Sequence, residues 1–66
     1  MQKLRICVFY GSKHTTYHSY ITPLIGDIFA NLDFEGEEKK LYIVTERLLH
    51  TGEDYPEIIT ITVSKK

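Results

Sequence analysis

Between Tyr10 and Tyr20 the chain reads YGSKHTTYHSY, which places three tyrosines, two histidines, one lysine and four serine or threonine hydroxyls in eleven residues without an acid. This set suits recognition. Tyrosine rings present flat faces to a base or another ring, Ser12, Thr15, Thr16 and Ser19 present short hydrogen-bond donors, and Lys13 with the imidazoles of His14 and His18 presents positive charge to an anion. Tyr10, Tyr17 and Tyr20 are therefore the candidate stacking platforms. Lys13 is a candidate phosphate partner, and Ser12, Thr15 and Thr16 are candidate donors to phosphate or base edges. Arg47, further along, is a second candidate for phosphate, since guanidinium makes a forked grip where lysine acts as a point charge.

Catalytic chemistry finds little support. A nucleophile would have to be Ser12, Ser19 or Cys7 with a histidine base, and none of them lies in an elbow, a glycine-rich phosphate loop or a triad context. The expectation is a binder and not an enzyme. A metal is not expected either: on a strand, His14 and His18 share a face but stand about 13 Å apart, too far to share an ion held at roughly 2 Å by each ligand. No cofactor is implied.

The chain must position these residues with few means. Its 66 residues make one small domain, which buries only about 60% of the surface its unfolded form exposes and is marginal without some added constraint. Cys7 is the only cysteine, and inside an apolar run it reads as a small core side chain, so no disulfide serves as that constraint. Self-association remains, and a homo-oligomer, dimer or tetramer, is expected. The lone cysteine, the absence of a leader-like start and the absence of any apolar stretch near 20 residues point to a cytoplasmic protein without a membrane partner. Charge is uneven, with Lys3, Arg5 and Lys13 unopposed before residue 21 and an acidic excess after it, for a net charge of −1. That near-neutral total argues against a nucleic-acid polymer, whose binding requires neutralising many phosphates, and leaves room for a small anion.

Periodicity predicts short strands. Leu4, Ile6, Val8 and Tyr10 alternate with Arg5, Cys7 and Phe9 as a first strand; Gly11 to Lys13 reads as a hairpin loop; and the threonine-rich run from His14 to Thr22 reads as a second strand, with Thr15, Tyr17 and Ser19 on one face and His14, Thr16 and His18 on the other. Leu41 to Leu49 and Ile58 to Val63 are expected to form an antiparallel hairpin joined by a turn through Gly52, Asp54 and Pro56. Its inward set is expected to be Ile43 from one strand and Ile59, Ile61 and Val63 from the other, with Arg47 on the face of Leu41, Ile43, Thr45 and Leu49. The stretch from Asp33 to Lys40 is expected to be an exposed charged turn.

Residues 22–32 support two readings. Ile21, Leu24, Ile25, Ile28, Phe29 and Leu32 follow helical spacing behind Thr22 as N-cap and Pro23 at the first helical position. Gly26 opposes this, because inside a helix it costs about 1 kcal/mol relative to alanine. The preferred reading is a turn through Pro23, Gly26 and Asp27 that feeds a strand from Ile28 to Leu32. The expected fold is then all-β, a small SH3-like antiparallel barrel of about five strands, with an α+β form carrying one short helix as the alternative.

The order of these signals resembles a known group. A first strand, a hydroxyl-rich second strand, the Pro23-x-x-Gly26-Asp27 turn, then Tyr42-Ile43-Val44 and a closing hairpin is similar to small phage-encoded β-barrel proteins with a P-x-x-G-D turn followed by Y-x-V. The spacing from Asp27 to Tyr42 is longer here than in the compact form of that pattern. Among such proteins, the anti-CBASS nucleotide sponges are short, lack catalytic residues and assemble into oligomers. The resemblance implies immune evasion by sequestering a cyclic dinucleotide signal, such as cyclic GMP-AMP, in the host cytoplasm. The alternative is a phage protein that inhibits a host protein, or a small structural subunit.

Overall fold

The computed structural model describes residues 3–38, 40–50 and 58–66. Five strands, β1 (Leu4–Tyr10), β2 (Lys13–Ser19), β3 (Ile28–Phe29), β4 (Tyr42–Leu49) and β5 (Ile58–Lys65), form one sheet in the order β2-β1-β5-β4-β3. The sheet curls into a half-barrel, and no helix is present among the described residues. The all-β reading holds. Within it, β1 and β5 run parallel, so the sheet departs from the fully antiparallel arrangement that local signals suggest.

Each strand forms for a local reason. β1 and β2 are joined by a two-residue turn in which Gly11 takes φ +59 while Ser12 keeps a negative φ, the signature of a type II′ hairpin that matches strand twist. Residues 24–27 form a turn in which the Asp27 N–H donates to the Leu24 carbonyl (3.0 Å) and the Leu24 N–H donates to the Asp27 Oδ2 (2.8 Å). Gly26 occupies its third position at φ +96, which side-chain-bearing residues rarely adopt. Its N–H donates to the Val44 carbonyl, and the Val44 N–H donates to the Asp27 carbonyl, both at 2.9 Å. The Pro23-x-x-Gly26-Asp27 turn and the Tyr42-x-Val44 strand are thus two halves of one backbone clasp, which extends into the β3–β4 pairing of Ile28 with Ile43 and Phe29 with Tyr42.

The core lies on the concave face. Ile6 and Val8 from β1, Ile59, Ile61 and Val63 from β5, and Tyr42 and Val44 from β4 are buried, capped by Leu32 and Phe34 from the connection between β3 and β4. Four expectations are corrected here. Tyr42 and Val44 are the inward residues of β4, and Ile43 is only half-buried on the other face. Phe34 turns into the core where a wholly exposed turn was expected, because its ring completes a three-ring cluster with Tyr10 and Tyr42 at 5.2 to 5.6 Å. The strand after Asp27 ends at Phe29, since the chain must leave the ladder to carry Leu32 and Phe34 across the concave face. Finally, a bulge between Val44 and Glu46 brings Arg47 opposite Ile61 on the core side, away from the face of Ile43. The expected turn through Gly52, Asp54 and Pro56 lies outside the described residues.

Candidate ligand-binding cleft

The half-barrel leaves a seam between its two edge strands, and the seam is where the concave surface opens. Among the described residues β2 is bonded to β1 alone and β3 to β4 alone, so neither edge is closed by a further described strand. Tyr17 reaches across from β2 to Phe29 on β3 and meets it edge to face, with ring centroids 5.8 Å apart. That ring pair divides the opening. On one side lies a cleft of about 400 Å³ bordered by Thr15, Tyr17, Phe29, Asn31, Leu32 and Asp33. On the other lies one of about 290 Å³ bordered by Tyr17, Ser19, Ile21, Pro23, Asp27 and Ile28.

The alternation of β2 explains which side chains reach the seam. Lys13, Thr15, Tyr17 and Ser19 point to the concave side and are half-buried, while His14, Thr16 and His18 point away and are exposed. The Tyr17 hydroxyl is held above its ordinary pKa, mainly by burial and further by the negative charge of Asp27. Asp27 itself is held in place by the Leu24 N–H.

The sequence candidates separate into distinct roles. Tyr17 and Thr15 border the larger cleft together. Tyr10 lies on the same face but is packed against Phe34 and Tyr42, with the Lys65 ammonium 5.6 Å over its ring, so its faces are occupied. Lys13 pairs with Glu37 at 3.4 Å, and Lys65 approaches the same carboxylate at 3.6 Å. Ser12 is exposed in the hairpin turn, and Thr16 faces the opposite side from the cleft. Tyr20 lies past the end of β2, exposed, with the Lys3 ammonium 5.6 Å over its ring. Arg47 shares a row of the concave face with Thr15, through the pairings Thr15 with Val8, Val8 with Ile61 and Ile61 with Arg47. Its buried Nε has no hydrogen-bond partner among the described residues.

Sequence reasoning missed Phe29, Asn31 and Asp33 as lining residues. Phe29 and Leu32 read as core apolar residues, and the only hint of an opening was the Asn31-Leu32-Asp33 run, whose polar members suit a chain leaving a sheet. Among the described residues, no three histidine, cysteine or acidic side chains are grouped to hold a metal, and no helix is long and apolar enough to cross a membrane. In comparison with known proteins, the chain matches no family model, no curated protein and no solved structure.

Proposed function

We propose that this chain acts by stoichiometric binding without catalysis, as an oligomeric sponge that holds a cyclic dinucleotide, such as cyclic GMP-AMP, against Tyr17 in the seam. The edge-to-face pair of Tyr17 and Phe29, with its adjoining clefts of about 400 and 290 Å³, is the observation that carries this reading. A cyclic dinucleotide brings two bases, and a ring that borders both clefts is suited to stack on one of them, an interaction worth roughly 1 to 3 kcal/mol. Thr15 and Asn31 supply hydrogen-bonding groups along the larger cleft. Asp27 and Asp33 on the walls repel phosphate. The phosphates therefore belong toward Lys13, which would exchange Glu37 for the ligand, or toward Arg47.

Titration calorimetry against a panel of cyclic dinucleotides tests this. Binding should be measurable, Tyr17→Ala should weaken it by about tenfold or more, and the ligand should be recovered chemically unchanged after the protein is denatured. An absence of heat with every member of the panel defeats the reading. A second reading, inhibition of a host protein, draws on the exposed apolar side chains between Tyr20 and Ile28. Retention of a host protein on the immobilised chain, together with no response to nucleotides, would favour it.

A further inference from the structure

The connection from β2 to β3, with the first residue of β3, exposes Ile21, Leu24, Ile25 and Ile28 within eight residues, with Ile21 at 78%, Ile25 at 66% and Leu24 at 56% of their full exposure. The turn that carries Leu24 and Ile25 is fixed by the reciprocal Leu24–Asp27 bonds and the Gly26–Val44 clasp, so these side chains are displayed from a bonded turn and not from a loose tail. Its only charged residue is Asp27, whose carboxylate already accepts the Leu24 N–H.

We infer that this patch is the site at which a second copy of the chain docks, patch against patch about a two-fold axis. Three observations favour a second copy. The exposed areas of Ile21, Leu24, Ile25 and Ile28 come to on the order of 500 Å², more than half of the roughly 800 Å² that each partner contributes to a standard interface. A nearly charge-free patch can meet itself across a two-fold axis without opposing like charges, which self-pairing requires because every residue faces the same surface on its partner. Among the described residues the core on the concave face holds nine buried side chains, so covering this surface adds burial that a domain of this size needs. Ile21 and Ile28 also border the smaller cleft. Such a dimer therefore places the two seams beside the interface. The inference deepens the proposed oligomeric capture by naming its interface, and it rests on that reading for the assembly but not for the ligand.

The test uses Leu24 and Ile25, which border neither cleft. Sedimentation equilibrium at micromolar concentration, without ligand, should give twice the chain mass for the native protein. The Leu24→Lys/Ile25→Lys and Leu24→Glu/Ile25→Glu variants should each fall to the single-chain mass while keeping the native circular dichroism spectrum. Mixing them should restore the doubled mass, because opposite charges then meet across the two-fold interface. Leu48→Glu, a charge on an exposed apolar position of β4, should leave the dimer intact. A monomeric native protein overturns the inference, as do charge variants that remain dimeric. If either double variant is unfolded, the single Ile25→Lys and Ile25→Glu variants carry the same test. Nucleotide binding measured on the same samples reports separately: a dimer without nucleotide heat defeats the ligand reading alone, and a monomer that still binds nucleotide defeats the interface alone.

Discussion

Val44 and Arg47 lie three residues apart on one strand, a spacing that places side chains on opposite faces of a regular ladder, yet both face the concave side of the sheet. The extra residue is Thr45, which sits between the partners of Val63 and Thr62 and whose Oγ1 donates to the Thr62 carbonyl at 3.2 Å. The bulge shifts the alternation of everything after it. It carries a charged side chain onto a face otherwise lined by Tyr42, Val44 and Ile61, and leaves Arg47 Nε buried without a hydrogen bond to any described residue.

Arg47 accordingly serves two readings that a single substitution separates. Arg47→Met keeps the aliphatic stem and removes the unpartnered polar atom, so stability in urea should be unchanged or rise by about 1 kcal/mol. If Arg47 meets phosphate, the same variant should bind cyclic dinucleotide more weakly. A large loss of stability would show that the guanidinium is an essential structural contact.

Gly26 tests the clasp. Its φ of +96 is costly for any residue with a Cβ, and because open space surrounds the position where that Cβ would sit, the cost is conformational and not steric. Gly26→Ala should therefore destabilise the fold by about 1 to 3 kcal/mol, measured as a lower denaturation midpoint. Stabilisation by alanine would mean that the turn does not exist in solution.

Tyr10 and Tyr17 should separate stability from binding. Tyr10 is locked between Phe34 and Tyr42, so Tyr10→Ala should cost about 3 kcal/mol of folding stability. Tyr17→Ala, at the half-buried seam, should cost less stability and act mainly on ligand affinity. Equal losses of stability in the two variants would assign Tyr17 to the core.

Glu37 gives the fold a dependence on pH. Desolvation pushes its carboxyl upward, but the Lys13 and Lys65 ammoniums outweigh this and hold it below its ordinary value. A carboxyl lowered in the folded state contributes stability that is fully present above its unfolded pKa, about 4.3 for glutamate, and is lost as pH falls through the lowered folded value. Glu37→Gln should thus be less stable than the native protein near neutrality and indistinguishable from it in strong acid. Because the pair is only half-buried and reaches solvent, the gap should also narrow in high salt. A gap that persists at low pH would point to packing and not charge.

The alternation of apolar residues in β1 and β5, the Gly11 hairpin and the turn at Gly26 were legible in the sequence because each depends on neighbours a few residues away. A strand's two faces follow from its pleat, and a positive φ calls for glycine wherever the chain goes next. The segment from Tyr10 to Tyr20 was legible in the same way: its alternation put Thr15 with Tyr17 and Thr16 opposite, as the sheet has them. What depended on distant partners was not. The parallel pairing of β1 with β5 joins the two ends of the chain, and no local pattern encodes it. The bulge at Thr45 has no glycine to announce it, so the inward set of β4 was assigned to Ile43 and not to Tyr42 and Val44. Phe34 looked like part of a charged turn until the curled sheet offered Tyr10 and Tyr42 as partners. Residue types and spacing determined which side chains share a face of each strand, because those are properties of the chain itself. Tertiary structure alone decided that Tyr10 is spent on packing while Tyr17 borders an opening, because the curled sheet sets Tyr10 of β1 against Phe34 and Tyr42 and leaves Tyr17 on the edge strand β2 at the seam.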